Sequence, residues 1–176
     1  DNDRGKIIHP TGTGKSILQV LIVNNLKPKK VLQIVPNLEL QLQIIKDWSN
    51  HSDYIIYKES SEEIEGIDRY QPNNLVDYSI VVSTYQSLEK ITDEFDLILF
   101  DEAHRTTVQD DGLFSYGLSD DNIKATKRLF FTATERLFSD LGDDVVSMDN
   151  EELYGKTIHE LKFIEAVERG IICDFE

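Results

Sequence analysis

Short apolar runs alternate with longer amphipathic stretches along most of the chain. Runs of a few apolar residues between polar turns are the pattern of strands buried on both faces. Residues 6–9, 31–35, 54–57, 80–83, 97–100 and 129–131 read as such strands, and residues 145–147 as an edge strand. Between them, residues 16–26 set Ile17, Val20, Leu21 and Leu26 on one side of a helix, and residues 38–48 carry a second helical pattern. Strands alternating with helices make βαβ units and hence a mostly parallel sheet. The expected fold is α/β: a three-layer α/β/α sandwich with a mainly parallel sheet, one domain over residues 1–176. Residues 59–74, with Glu62, Glu63, Glu65, Gly66 and Pro72, read as a surface excursion, and residues 110–122 as a polar loop.

Composition narrows the classes. The 176 residues are 40% hydrophobic and 29% charged, with 9 Gly and 4 Pro, which excludes collagen-like and wholly disordered chains. The apolar runs are strand-sized, so no membrane partner is expected. A single cysteine, Cys173, excludes an intramolecular disulfide and points to a reducing, intracellular compartment, cytoplasmic or nuclear. No signal peptide is visible, and the only methionine is Met148, so the chain reads as a segment of a longer protein. The net charge is −15: residues 1–50 hold seven Lys/Arg against four Asp/Glu, and the remainder eleven against twenty-nine. A basic surface footprint for nucleic acid is absent. Nucleic-acid contacts must then be local, made by backbone amides and a few side chains.

Two stretches carry chemistry. His9-Pro10-Thr11-Gly12-Thr13-Gly14-Lys15-Ser16 follows the first strand and opens the first helix. It matches the phosphate-loop pattern G-x-x-x-x-G-K-[ST], with His9 in place of the first glycine. Gly12 and Gly14 permit backbone angles that turn successive N–H groups inward, and the following helix aims its unpaired amides at the same point. Lys15 can reach β- and γ-phosphates, and the Ser16 hydroxyl can meet Mg²⁺. Further on, Asp101-Glu102 leaves the hydrophobic run 97–100. Ligands of open parallel sheets sit at the carboxyl ends of strands, which brings Asp101 near the metal and phosphates and suits Glu102 to act as a general base on water. Taken alone, the glycine-rich stretch could be a helix-capping turn and the acidic pair a loop opening.

These residues, in order, resemble the first RecA-like motor domain of superfamily 2 helicases. Thr11 to Ser16 resembles helicase motif I, Asp101-Glu102-Ala103-His104 motif II, and Thr132-Ala133-Thr134 motif III. Residues 35–40 resemble motif Ia and residues 83–88 motif Ib, while residues 154–171 resemble the segment before a second motor domain. That ending is similar to the DEAD/DEAH-like branch containing type I/III restriction-enzyme motors. The resemblance implies a helicase or translocase that couples ATP hydrolysis to movement on nucleic acid, DNA before RNA. It implies that Thr11, Gly12, Thr13, Gly14, Lys15 and Ser16 bind ATP, that Ser16 and Asp101 hold Mg²⁺, and that Glu102 and Lys15 are catalytic. His104, Thr132 and Thr134 would couple the ATP site to the nucleic-acid groove, and Pro36 and Thr84 would touch the strand. Pro36, Asn37 and Thr84 also fit simple helix capping. A second RecA-like domain in cis would supply the arginine finger, worth about 10³–10⁵ in rate, so the domain alone should turn over ATP barely or not at all. Glu135 follows Thr-Ala-Thr where many relatives have Pro.

Other readings are weaker. His9, His51, His104 and His159 show no metal-ligand spacing, and no G-x-S-x-G elbow is present. A guanine-reading Asn-Lys-x-Asp is absent, which disfavours a GTPase. A phosphate-loop protein of another class, or an ATP-sensing module without hydrolysis, is the alternative. Trp48, Tyr54, Tyr57 and Phe130 are expected in the core or its rim, and Cys173 as a small buried or interface residue.

Overall fold

The computed structural model describes residues 3–107, 114–138 and 146–173. Among the described residues eight strands form one sheet: β1 (Arg4–Ile8), β2 (Lys30–Val35), β3 (Ile55–Glu59), β4 (Asp68–Arg69), β5 (Ser79–Thr84), β6 (Phe95–Phe100), β7 (Ala125–Thr132) and β8 (Lys156–Glu160). Their order is β4-β3-β5-β2-β6-β7-β1-β8, and every ladder between them is parallel. The helices are α1 (Lys15–Leu26), α2 (Leu38–His51), α3 (Glu151–Tyr154) and α4 (Phe163–Glu168).

The buried strands alternate between two cores, as the two-residue period of a strand requires. Val31 and Val35 of β2, Ile80 and Val82 of β5, and Leu97 and Leu99 of β6 pack with Val20 and Val23 of α1 and Ile44, Ile45 and Trp48 of α2. Leu32, Ile34, Val81, Ile98 and Phe100 face the other way, onto Tyr85, Leu88, Phe130 and Tyr154. The three layers are there, but the second outer layer is built from short pieces. Among the described residues it comprises 3₁₀ turns at Tyr85–Lys90, Ala103–Thr107 and Tyr116–Leu118, with α3.

The buried strands fall where the apolar runs stand, and the differences have causes. β7 begins four residues before its apolar run. Its polar half is held by Arg128, buried at 2% exposure. That guanidinium donates to the carbonyls of Gly117 and Ile123 at 3.1 and 2.6 Å and to the Asp120 carboxylate at 2.7 Å. β8 has no apolar run because all five of its residues are exposed at the sheet edge. The excursion at 59–74 is mostly exposed but contributes β4, and it buries Tyr70, whose hydroxyl donates to Asp93 at 2.6 Å. Of the edge strand expected at 145–147, Val145 lies outside the described residues and the other two are not in a strand. The loop at 110–122 is described only from residue 114. Of the expectation that Cys173 is a buried or interface residue, burial does not hold: it is exposed, following α4 on the surface rather than entering either core.

Candidate functional site

The sheet order makes the site. β6, β7 and β1 are consecutive, so their carboxyl ends deliver Asp101-Glu102, Thr132-Ala133-Thr134 and the loop after Ile8 side by side. Two backbone bonds extend the ladders into the site: His9 N–H donates to Thr132 O, and Asp101 N–H to Ile34 O, both at 2.9 Å.

Gly12 and Gly14 adopt φ of 83° and 79°, the left-handed region in which a side chain is strained. Gly14 is the N-cap of α1, so the chain passes from the loop into the helix with its first amides facing the loop. The Thr13 hydroxyl closes the loop on Pro10 O at 2.7 Å. Lys15 is buried at 8% exposure. Its ammonium donates to His9 O at 3.2 Å and lies 3.9 Å from Glu102 Oε1. Ser16 follows in the first turn, half-buried, and Thr11 is exposed at the loop's outer edge.

Across the gap, Asp101 accepts from Gln19 Nε2 at 3.1 Å, and its carbonyl accepts from the Tyr85 hydroxyl at 2.8 Å. Burial pushes the Asp101 carboxyl above the usual carboxylate range; the Gln19 bond and Lys15 pull the other way and Glu102 adds to the rise. Glu102 takes φ of 49°, a strained turn for a residue with a Cβ, and its carboxylate bridges the site: Oε2 lies 3.4 Å from His104 Nδ1. Burial lowers the His104 pKa below its ordinary 6.5, although Glu102 opposes this. His104 Nδ1 is also 3.1 Å from Thr132 Oγ1, which donates to Thr134 O at 2.7 Å. A continuous polar chain therefore joins Lys15, Glu102, His104, Thr132 and Thr134.

Pro36 follows β2 and Thr84 ends the adjacent β5, and they line one cavity of about 700 Å³ with Asn37, Ser60, Ser87 and Lys90. Asn37 caps α2, its side chain accepting from Leu40 N–H at 2.9 Å, so that capping reading holds. Thr84 precedes the 3₁₀ turn without a side-chain capping bond. Lys90 is held at the cavity rim by the buried Glu59, whose Oε1 lies 3.3 Å from Lys90 Nζ and 3.1 Å from Arg69.

Several residues of the site carry no sequence signal of their own. His9 Nε2 lies 2.9 Å from His159 Nδ1, a contact that depends on the unforeseen β8. Among the described residues no three His, Cys, Asp or Glu side chains form a metal cluster. The departure at Glu135 is explained: its carboxylate meets the buried Lys6 of β1 at 2.5 Å, anchoring the exit from Thr132-Ala133-Thr134 to the sheet. Gln33 did have a signal, being polar inside an apolar strand run; Gln19 did not, because the helix side expected from Ile17, Val20, Leu21 and Leu26 is not the one α1 buries: Leu21 and Leu26 are exposed, and Gln19 packs inward with Val20 and Val23.

The comparisons agree with this geometry. The chain is 30% identical over 93% of its length to a probable helicase of African swine fever virus from a Kenyan isolate, and equally to one from a Malawian isolate. It covers 20% of each of those proteins, so it spans about a fifth of the relatives it matches. A nuclease-deletion mutant of the Type ISP restriction-modification enzyme LlaGI, solved with a DNA substrate mimic, superposes with a TM-score of 0.75 at 30% identity, over 97% of this chain and 19% of that one. The UvsW helicase of bacteriophage T4 superposes with a TM-score of 0.63 at 22% identity, over 90% of this chain and 55% of that one, a likeness of RecA-like fold. Residues 1–137 match the family described as the type III restriction enzyme res subunit, and the chain belongs to that family.

Proposed function

We propose that this chain is the ATP-binding motor domain of a longer helicase or translocase, one that hydrolyses ATP while moving on nucleic acid. One observation carries the reading: Lys15 of the phosphate loop lies 3.9 Å from Glu102, with Asp101 beside it, so a loop built for phosphate and an acidic pair built for water share one gap.

The residues fit ATP. The positive φ of Gly12 and Gly14 and the start of α1 at Lys15 suit an anion nest at a helix N-terminus. Lys15, now donating to the carbonyls of its own loop, is placed to exchange them for phosphate oxygens. Glu102 would accept the proton of the attacking water, with His104 on its far side fixing the carboxylate. Ser16 and Asp101 are hard oxygen donors of the kind Mg²⁺ takes, and they are the residues that would hold it. Mg²⁺, when bound, would neutralise phosphate charge and orient the leaving group.

The line from Glu102 through His104 to Thr132 and Thr134 gives a route by which the state of the ATP site would reach the rest of the domain. The cavity at Pro36 and Thr84 supports a strand contact: it offers Asn37, Ser60 and Ser87 beside Lys90, enough to hold a backbone without reading bases. The DNA substrate mimic bound by the LlaGI mutant favours DNA as the track. A second RecA-like domain in cis would complete the site, leaving this domain alone nearly inactive. The test is ATP turnover by the full-length protein with single-stranded and duplex DNA and RNA. DNA should stimulate turnover, and failure of every nucleic acid to do so would refute the motor reading.

A further inference from the structure

Beneath the acidic pair, two glutamines stand in the layer between α1 and the sheet. Gln19 of α1 and Gln33 of β2 are both 0% exposed. Gln33 lies between Val31 and Val35, on the strand face that packs against α1 and α2. Gln33 Nε2 donates to Gln19 Oε1 at 2.9 Å, and Gln19 Nε2 donates to Asp101 Oδ1 at 3.1 Å. The relay begins at an unpaired atom: among the described residues Gln33 Oε1, though buried, has no hydrogen-bond partner.

The arrangement is directional. A glutamine amide presents an acceptor on one side and donors on the other. Because Gln33 donates to the Gln19 oxygen, the Gln19 amino group must face Asp101. Turned over, Gln19 would set its carbonyl against the carboxylate and its amino group against that of Gln33. A hydrophobic core gains nothing from such a relay, since a buried unpaired carbonyl is a cost that an apolar side chain of the same shape would remove. The feature it secures is the rotation of one carboxylate at the mouth of the site.

We propose that Gln19 and Gln33 are positioning residues for the magnesium-binding carboxylate: Gln19 fixes Asp101 by one oxygen, and Gln33 fixes the amide of Gln19. The Glu102 backbone amide adds a second hold on Asp101, so the glutamines tune the site rather than create it. This inference rests on Asp101 being a magnesium ligand.

The test separates the two claims. A fluorescent ADP analogue, mantADP, is titrated into the 176-residue chain with Mg²⁺ and with EDTA, and the ratio of the two dissociation constants is the magnesium gain. Gln19→Met and Gln33→Met keep the volume and remove the amides. In Gln19→Met the gain should fall by about tenfold, the scale on which residues behind a metal ligand act, with the affinity in EDTA unchanged. In Gln33→Met it should fall in the same direction, although Gln33 is not bonded to Asp101; the change removes the unpaired Gln33 Oε1 but leaves Gln19 Oε1 without its donor, so the two effects on the melting temperature largely offset. If Gln19→Met fails to fold, Gln33→Met alone decides, because it keeps Gln19, the side chain bonded to Asp101. A full magnesium gain in the folded glutamine variants, with the gain lost in Asp101→Ala, overturns the inference and leaves the site reading intact. A gain retained in Asp101→Ala, or absent from the wild type, overturns both.

Discussion

Lys15 Nζ lies 3.9 Å from Glu102 Oε1, so the cation suited to phosphate and the carboxylate suited to water are already across one gap from each other. The two have separable roles. Lys15→Ala should weaken nucleotide binding itself, measured by mantADP titration. Glu102→Gln keeps the shape and removes the base, so binding should survive while nucleic-acid-stimulated turnover falls by about 10²–10⁴-fold. Equal loss of binding in both variants would contradict this division.

His104 bridges Glu102 and Thr132, at 3.4 and 3.1 Å. If this chain of contacts carries coupling, His104→Ala in the full-length protein should retain binding of mantADP and lose most of the stimulation of ATPase by single-stranded DNA. Steady-state ATPase assays across DNA concentrations check it, and a variant stimulated as well as wild type would break the proposed route.

The phosphate loop, the acidic pair and the strands beneath them were legible in the sequence because each is local. A run of apolar residues declares a buried strand, and glycines before Lys-Ser declare a turn into a helix. That they meet depends on strand order, which short-range pattern does not contain. β8 was illegible for a different reason: its stability comes from pairing with β1 at an edge, with all five side chains exposed, so it needs no apolar signature. His159, and with it the contact to His9, was hidden for the same cause. Gln33 was readable in principle, being polar inside a run expected to be buried on both faces.

Lys6 and Glu135 form an ion pair at 2.5 Å with side-chain exposures of 7% and 24%, and Lys6 also donates to Met148 O at 2.8 Å. Glu135→Gln replaces the charged partner of the buried ammonium with a neutral amide. Unfolding in urea should show a loss of about 1.5–3 kcal/mol, the cost of a hydrogen bond to a buried charge. A Lys6→Met, Glu135→Gln double variant should recover part of that loss, because the ammonium is then absent.

His9 sets a pH dependence. Burial first, then His159 and Lys15, lower its pKa below the ordinary 6.5. The unfolded chain then binds a proton that the folded chain resists, so stability rises with pH. The contribution of His9 is complete above pH 6.5 and is lost as pH falls from there through the lower folded value. His9→Gln, which cannot titrate, should melt with a smaller difference between neutral and acid pH than wild type. His104 is shifted the same way and will keep part of the acid loss in that variant. An unchanged pH difference in His9→Gln would show that His9 does not contribute.

The most direct measurement is a crystal structure of the chain with Mg²⁺ and a non-hydrolysable ATP analogue. The phosphates should lie on the amides of residues 12–16, with the Lys15 ammonium released from His9 O onto them and the metal between Ser16 and Asp101. A triphosphate bound elsewhere, or bound on the loop with its metal out of reach of Asp101, would contradict the account.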